Sequence, residues 1–200
     1  MRKMSNLNQI PTSNHELRTL MRNCEQTEGM TVLEHGVSVA SYYLDLINHL
    51  TNGDELKKEW RLPEWCYDPL LLECLLPLKE VATYQIYHDC GKPLCIKFDD
   101  EGRRHFPDHA EVSYELWKSI HGDSDIAWLI KHDMEIHLAR AKDAERIADT
   151  KYWATQLLTG LAEVHSNAAM FGGLESTSFK IKYKNLTKSG KRILNQRKSK

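Results

Sequence analysis

The chain lacks most of the features that would give its function away at once. No C-x-x-C pair occurs in its 200 residues, and its five cysteines, Cys24, Cys66, Cys74, Cys90 and Cys95, are odd in number. A disulfide framework and a tetrathiolate zinc site are therefore not expected, and buried thiols are. No apolar run approaches the roughly 20 residues of a membrane span, and Arg2 and Lys3 are followed by no apolar block. The expectation is a cytoplasmic protein with no membrane partner. A G-x-x-x-x-G-K-[ST] loop is missing, which removes P-loop kinase chemistry. Strict polar-apolar alternation is almost absent as well, and with it most β structure. There is no internal repeat.

What is present is enough for one core: 41% of the residues are hydrophobic, and the length suits a single domain. The near-neutral net charge hides an asymmetry. Nine of the 27 Lys and Arg residues lie between Lys180 and Lys200, a stretch with no Asp or Glu, which leaves 18 basic against 28 acidic residues in the first 179. This division predicts a body over 1–179 and a basic C-terminal tail over 180–200. The tail reads either as a solvated terminus or as a contact for RNA, whose phosphates reward clustered cations through counterion release. Its apolar positions, Ile181, Tyr183, Leu186, Ile193 and Leu194, would instead mark packing against the body.

Helical periodicity dominates elsewhere. Val32, Leu33, Val37, Val39, Ala40, Tyr43, Leu44, Ile47 and Leu50 recur at spacings of three and four, predicting a helix over 31–50 with one wide buried face. A second helical stretch runs over 70–88, with Pro77 near a helix start. The segment KFDDEGRRHF predicts a tight turn and a small hairpin within 96–106. A helix restarts behind Pro107 and stops at Gly122, another covers about 125–137, and a long helix or helix pair ends at Gly172-Gly173. The fold class is all-α, a bundle of six or more helices.

Against this background stand His35, the doublet His88-Asp89, His109, His132 and Glu163, each on or beside an apolar helical stretch. Burying such groups is unfavourable unless they are paired, hydrogen-bonded or bound to metal, so several facing one core call for a common partner. A divalent cation is one. Imidazole with carboxylate favours Mn, Fe, Co or Ni and tolerates Mg. A single histidine such as His35 is more often a satisfied core or surface residue than a ligand. The doublet carries more weight, because His88-Asp89-Cys90-Gly91-Lys92 sets two ligand types beside a backbone-freeing glycine and an anion-meeting lysine.

The sequence HDCGKPLCIKFDDEGRRHFPDHAEVSYELW, with His35 upstream in VLEHGVSVA, resembles the HD superfamily of metal-dependent phosphohydrolases over roughly Thr31 to Asn167. Within that superfamily it looks most like the HD domains attached to tRNA nucleotidyltransferases and bacterial end-healing polynucleotide kinases, through Pro93, Gly102, Arg103, His105, Phe106 and His109. The resemblance implies an HD-domain helical bundle and one or two divalent metal ions, Mn, Ni, Co, Fe or Mg. It implies His35, His88 and Asp89 as ligands of a first metal. The last ligand, normally Asp, falls on Glu163, with Asp133 and His165 as alternatives. His109 and His132 match the added histidines of the two-metal branch, with His137 competing for the place of His132. Asp89 and Lys92 would be catalytic, and Lys92, Arg103 and His105 would meet substrate. The implied activity is hydrolysis of RNA ends or nucleotides, as a 2′,3′-cyclic phosphodiesterase or phosphomonoesterase. A phosphatase for free (deoxy)nucleoside mono- or triphosphates and a non-catalytic RNA-binding or interaction module are the alternatives. The chain has no room for a nucleotidyltransferase domain, so that activity does not carry over.

Overall fold

The strongest local start signal in the chain is Thr31-x-x-Glu34. The Thr31 hydroxyl accepts the Glu34 N–H at 3.2 Å while the Glu34 carboxylate accepts the Thr31 N–H at 2.8 Å, a reciprocal capping box. Helix α2 (Val32–Asn52) starts there and ends at Gly53, whose φ of 74° is the left-handed exit that glycine takes most readily. In the computed structural model, residues 10–170 and 172–200 are described; residues 1–9 of the expected 1–179 body, and Phe171, lie outside that range.

Before α2 come α1 (Asn14–Arg22) and a hairpin of β1 (Glu25–Thr27) and β2 (Met30–Thr31). After it come α3 (Pro69–Glu73), α4 (Leu78–Tyr87), α5 (Lys92–Cys95), and a second hairpin of β3 (Lys97–Phe98) and β4 (Arg104–His105). Then follow α6 (His109–His121), α7 (Asp125–Lys131), α8 (Glu135–Leu138), α9 (Ala144–Asp149), α10 (Trp153–Met170) and α11 (Thr177–Lys198). The fold is an all-α bundle. The expected hairpin is there, pairing Lys97 with His105 and Phe98 with Arg104. The one at 25–31 was not expected, because its five strand residues are too few to show alternation.

α10 is buried on nearly every face, from Trp153 to Ala168, as a helix that is apolar all round must be. It packs against α2 on one side and α11 on the other, and α2 packs in turn against α4. The core divides into two apolar clusters. One gathers Tyr43, Leu46, Trp153, Leu157 and Ile193, and the other Leu17, Leu33, Tyr84, Leu129 and Ile130. His35 falls between the stretches of α2 that serve the two. Ser38 and Ser166 tie α2 to α10 at 2.8 Å between their hydroxyl oxygens. Val37 and Leu44, expected on the buried face of α2, are instead exposed.

Two further expectations need correction. The helix expected over 125–137 breaks after Lys131, where His132 caps α7, and resumes at Glu135. The expected boundary at 179/180 falls inside α11, which packs Phe179, Leu186, Ile193 and Leu194 into the core. Residues 180–198 are therefore an integral helix, because an apolar stripe at i, i+7 and i+14 outweighs the repulsion of the lysines around it.

Ile193→Ala removes a fully buried side chain and should lower the unfolding free energy by about 2–4 kcal/mol, read from chemical denaturation. A solvated tail would give no change. A second outcome concerns acid. His165 accepts the Arg61 N–H at Nε2 (3.0 Å), and burial holds its pKa down to about 4 against an ordinary 6.5. The unfolded chain takes up a proton near pH 6.5 that the folded one refuses until about pH 4, so stability should fall across that window, by up to about 3 kcal/mol. That slope, measured by urea unfolding at stepped pH, should shrink in His165→Phe.

Candidate metal centre

α4 ends on the doublet, and the turn after it is held by close backbone approach. A Cβ at Gly91 would lie 2.4 Å from the Ser113 nitrogen, so only glycine lets α6 cross this close to the turn. Ser113 fastens the crossing: its hydroxyl accepts the Gly91 N–H at 2.8 Å, and its carbonyl accepts the Cys90 thiol at 3.5 Å. Gly36 plays the same part on the other side. A Cβ there would meet the Ile86 carbonyl oxygen at 2.3 Å, so the glycine beside His35 allows α2 to lie against α4. The His35 and His88 rings come to 5.2 Å between centroids.

Asp89, 2% exposed, sits at the centre of the resulting cluster. Its Oδ2 lies 3.1 Å from His88 Nε2, 3.6 Å from His35 Nε2 and 2.6 Å from Lys92 Nζ. Its Oδ1 faces His109 Nε2 at 3.6 Å. The ring orientations are set from behind. His88 Nδ1 donates to the Gln85 carbonyl at 2.7 Å and His109 Nδ1 to the Phe106 carbonyl at 3.0 Å, which turns each Nε2 toward the carboxylate.

Asp133 and Glu163 also lie near His88. One ligand atom from each of His88, Asp133 and Glu163 falls within 4.8 Å of the others, and the same holds for His35, His88 and Asp89. His88 belongs to both groups. Asp133 reaches the site because α7 breaks after Lys131, and it accepts the Tyr84 hydroxyl at 2.5 Å. Glu163 takes His137 Nε2 at 2.8 Å.

The expected ligands therefore separate. His35, His88, Asp89 and Glu163 come together, with His109 at the edge on Asp89 Oδ1. His132 does not join them: its ring stacks on Trp128 at 4.0 Å and its Nδ1 lies 3.0 Å from Glu135 Oε1. His137, its competitor, lies on Glu163 instead, because the helix break turns α8 rather than the end of α7 toward that carboxylate. Of the alternatives for the last ligand, Asp133 is present and His165 is not, since Arg61 and the Leu161 carbonyl engage both its nitrogens. Arg103 and His105 close the second hairpin on Asp99, with Arg103 Nε at 2.8 Å and His105 Nε2 at 3.0 Å from Oδ2, and both are exposed. Lys92 is also held by Gln26 Oε1 at 3.0 Å, on the unexpected first hairpin.

The donors fit a cation. His88 Nε2, Asp89 Oδ1 and His35 Nδ1 are buried atoms without a hydrogen-bond partner, although His88 Nε2 lies 3.1 Å from Asp89 Oδ2. Such crowding without hydrogen-bond geometry is unfavourable unless a further group satisfies the donors. Burial opposes protonation of His88, but Asp89 and then Asp133 outweigh it and raise its pKa to about 10. Burial, followed by the His88 charge, lowers His35 to about 4. For Asp89 burial is outweighed by His88 and Lys92, and for Glu163 by His137, so both stay below the usual carboxylate range. Asp133 is raised, by burial first and Glu163 next, against the pull of His88. Compared with family models, curated proteins and solved structures, the chain gives no match.

Because His88 carries a proton up to about pH 10 and a metal needs its lone pair, binding must expel that proton. Zn²⁺ or Mn²⁺ affinity should rise by about tenfold per pH unit between pH 6 and 9, with proton release visible as buffer-dependent heat in calorimetric titration. Affinity that is flat with pH would mean that His88 Nε2 is not a ligand.

Proposed function

We propose that this chain is a metal-dependent phosphohydrolase acting on RNA ends or nucleotides, as a 2′,3′-cyclic phosphodiesterase or phosphomonoesterase. The observation that carries the reading is the convergence of three imidazole Nε2 atoms on the buried Asp89 carboxylate, at 3.1, 3.6 and 3.6 Å. The likeness of its HDxGKP segment to HD phosphohydrolases points to phosphate chemistry rather than to another use of a metal.

His35, His88 and Asp89, with Glu163 or Asp133, would hold the first cation, and Asp89 Oδ1 with His109 would offer a second position. A divalent cation bound there supplies Lewis acidity, acidifying a water and polarising phosphoryl oxygens. The chain's own groups do the rest. Asp89 presents Oδ2 to His35 and His88 and Oδ1 to His109, so this one carboxylate would serve both positions. Gln85 and Phe106 fix the imidazole tautomers through their carbonyls. Lys92 is a compact cation on a flexible stem. Held between Asp89 Oδ2 and Gln26 Oε1, Lys92 Nζ would be placed to meet a phosphoryl oxygen.

Asp89→Ala should reduce kcat/KM on 2′,3′-cyclic nucleotides, 3′-phosphorylated RNA or deoxynucleotides, assayed with Mn, Ni, Co and Mg, by more than the roughly 10–100-fold that follows loss of a group behind a ligand. Circular dichroism should stay helical. Full activity in the variant, or no turnover and no metal uptake by the unaltered chain, would overturn the reading and leave a non-catalytic module.

A further inference from the structure

The C-terminal helix carries more positive charge than its packing uses. Lys180, Lys198 and Lys200 pair with Glu175, Asp68 and Asp149. Lys184, Lys188, Lys191 and Arg192 are exposed, and none is among the ion pairs formed by the described residues. Their spacing of i, i+4, i+7 and i+8 places them on one face of α11, opposite the buried Phe179, Leu186 and Ile193. Like charges three and four residues apart destabilise a helix. Here the apolar face, anchored in the bundle, holds the row together.

We infer that the outer face of α11 is a track for the phosphate backbone of a single-stranded nucleic acid. A rise of about 1.5 Å per residue sets Lys184, Lys188 and Arg192 at steps of about 6 Å, and a strand lying along the row exchanges condensed counterions for these four cations. A lipid surface fits poorly: a helix lying in a membrane interface inserts its apolar face, and that face of α11 is buried in the protein. The choice of polymer over free nucleotide rests on the phosphoester reading; the binding itself does not.

The test uses the full chain, a fluorescein-labelled single-stranded oligoribonucleotide, and a chelator so that nothing is hydrolysed. An inactive site therefore leaves the test standing. Anisotropy titrations at several salt concentrations should give a log–log slope that is less steep by about 2.8 in the Lys184→Gln, Lys188→Gln, Lys191→Gln, Arg192→Gln variant, at about 0.7 per contact. Affinity should drop at least about tenfold. A milder Lys184→Gln, Lys188→Gln pair, which leaves the packed face and most of the charge in place, should lose about 1.4 of slope by the same rule. An unchanged slope in both variants overturns the track. Binding of phosphatidylserine vesicles without binding of the oligonucleotide overturns it as well.

Discussion

A carboxylate with only 2% of its surface exposed, deep in a helical bundle, is the constraint on which the rest of this structure depends. Taking the charge of Asp89 out of water is costly unless compensating groups surround it. The protein supplies three imidazole nitrogens and the Lys92 ammonium, and each lies where it does because of a backbone feature. Gly36 brings α2 onto α4, Gly91 brings α6 onto the turn after the doublet, and the Gln85 and Phe106 carbonyls turn two of the rings. A bulkier residue at either glycine would meet backbone atoms at 2.3–2.4 Å and open the cluster by moving whole helices, not side chains.

The same constraint explains why the centre sits between two apolar clusters rather than inside either. A polar group of five or six residues cannot be enclosed by one continuous apolar core without leaving donors unsatisfied. Placed at the junction, it takes His35 from α2, the doublet from the end of α4, Asp133 from the break after α7 and Glu163 from the most buried helix of the bundle. Lys92 stands in this arrangement as the cation nearest Asp89, at 2.6 Å; Gln26 of the first hairpin reaches it, and Arg104 of the second hairpin pairs with Glu25 of the first.

Much of this was legible in the sequence, and the parts that were not have physical reasons. The periodicity of 31–50 and the doublet at the end of a buried stretch located α2 and the end of α4, and with them His35, His88 and Asp89. Glu163 could be placed on a helix from its apolar neighbours. Asp133 and His137 were harder, because apolar spacing continues through 125–137 and gives no sign of the break that turns one toward His88 and the other toward Glu163; His132, nominally favoured, stacks on Trp128 instead. Arg103 and His105 were expected to meet substrate, yet both are engaged by Asp99 in the turn. In the C-terminal stretch, composition pointed to a tail while Phe179, Leu186 and Ile193, spaced seven apart, already described a packed face. The spacing was the better guide, since burial of a stripe fixes a helix more firmly than surface charge loosens it.

The central claim is that these donors bind a cation through the Asp89 carboxylate, and diffraction from a crystal grown with Zn²⁺, recorded on both sides of the zinc absorption edge, tests it most directly. The account predicts an anomalous peak about 2.0–2.2 Å from Nε2 of His35, Nε2 of His88 and an Asp89 oxygen, with Lys92 Nζ displaced from Oδ2. A map with Lys92 still on Asp89 and zinc bound elsewhere, or nowhere, would contradict it.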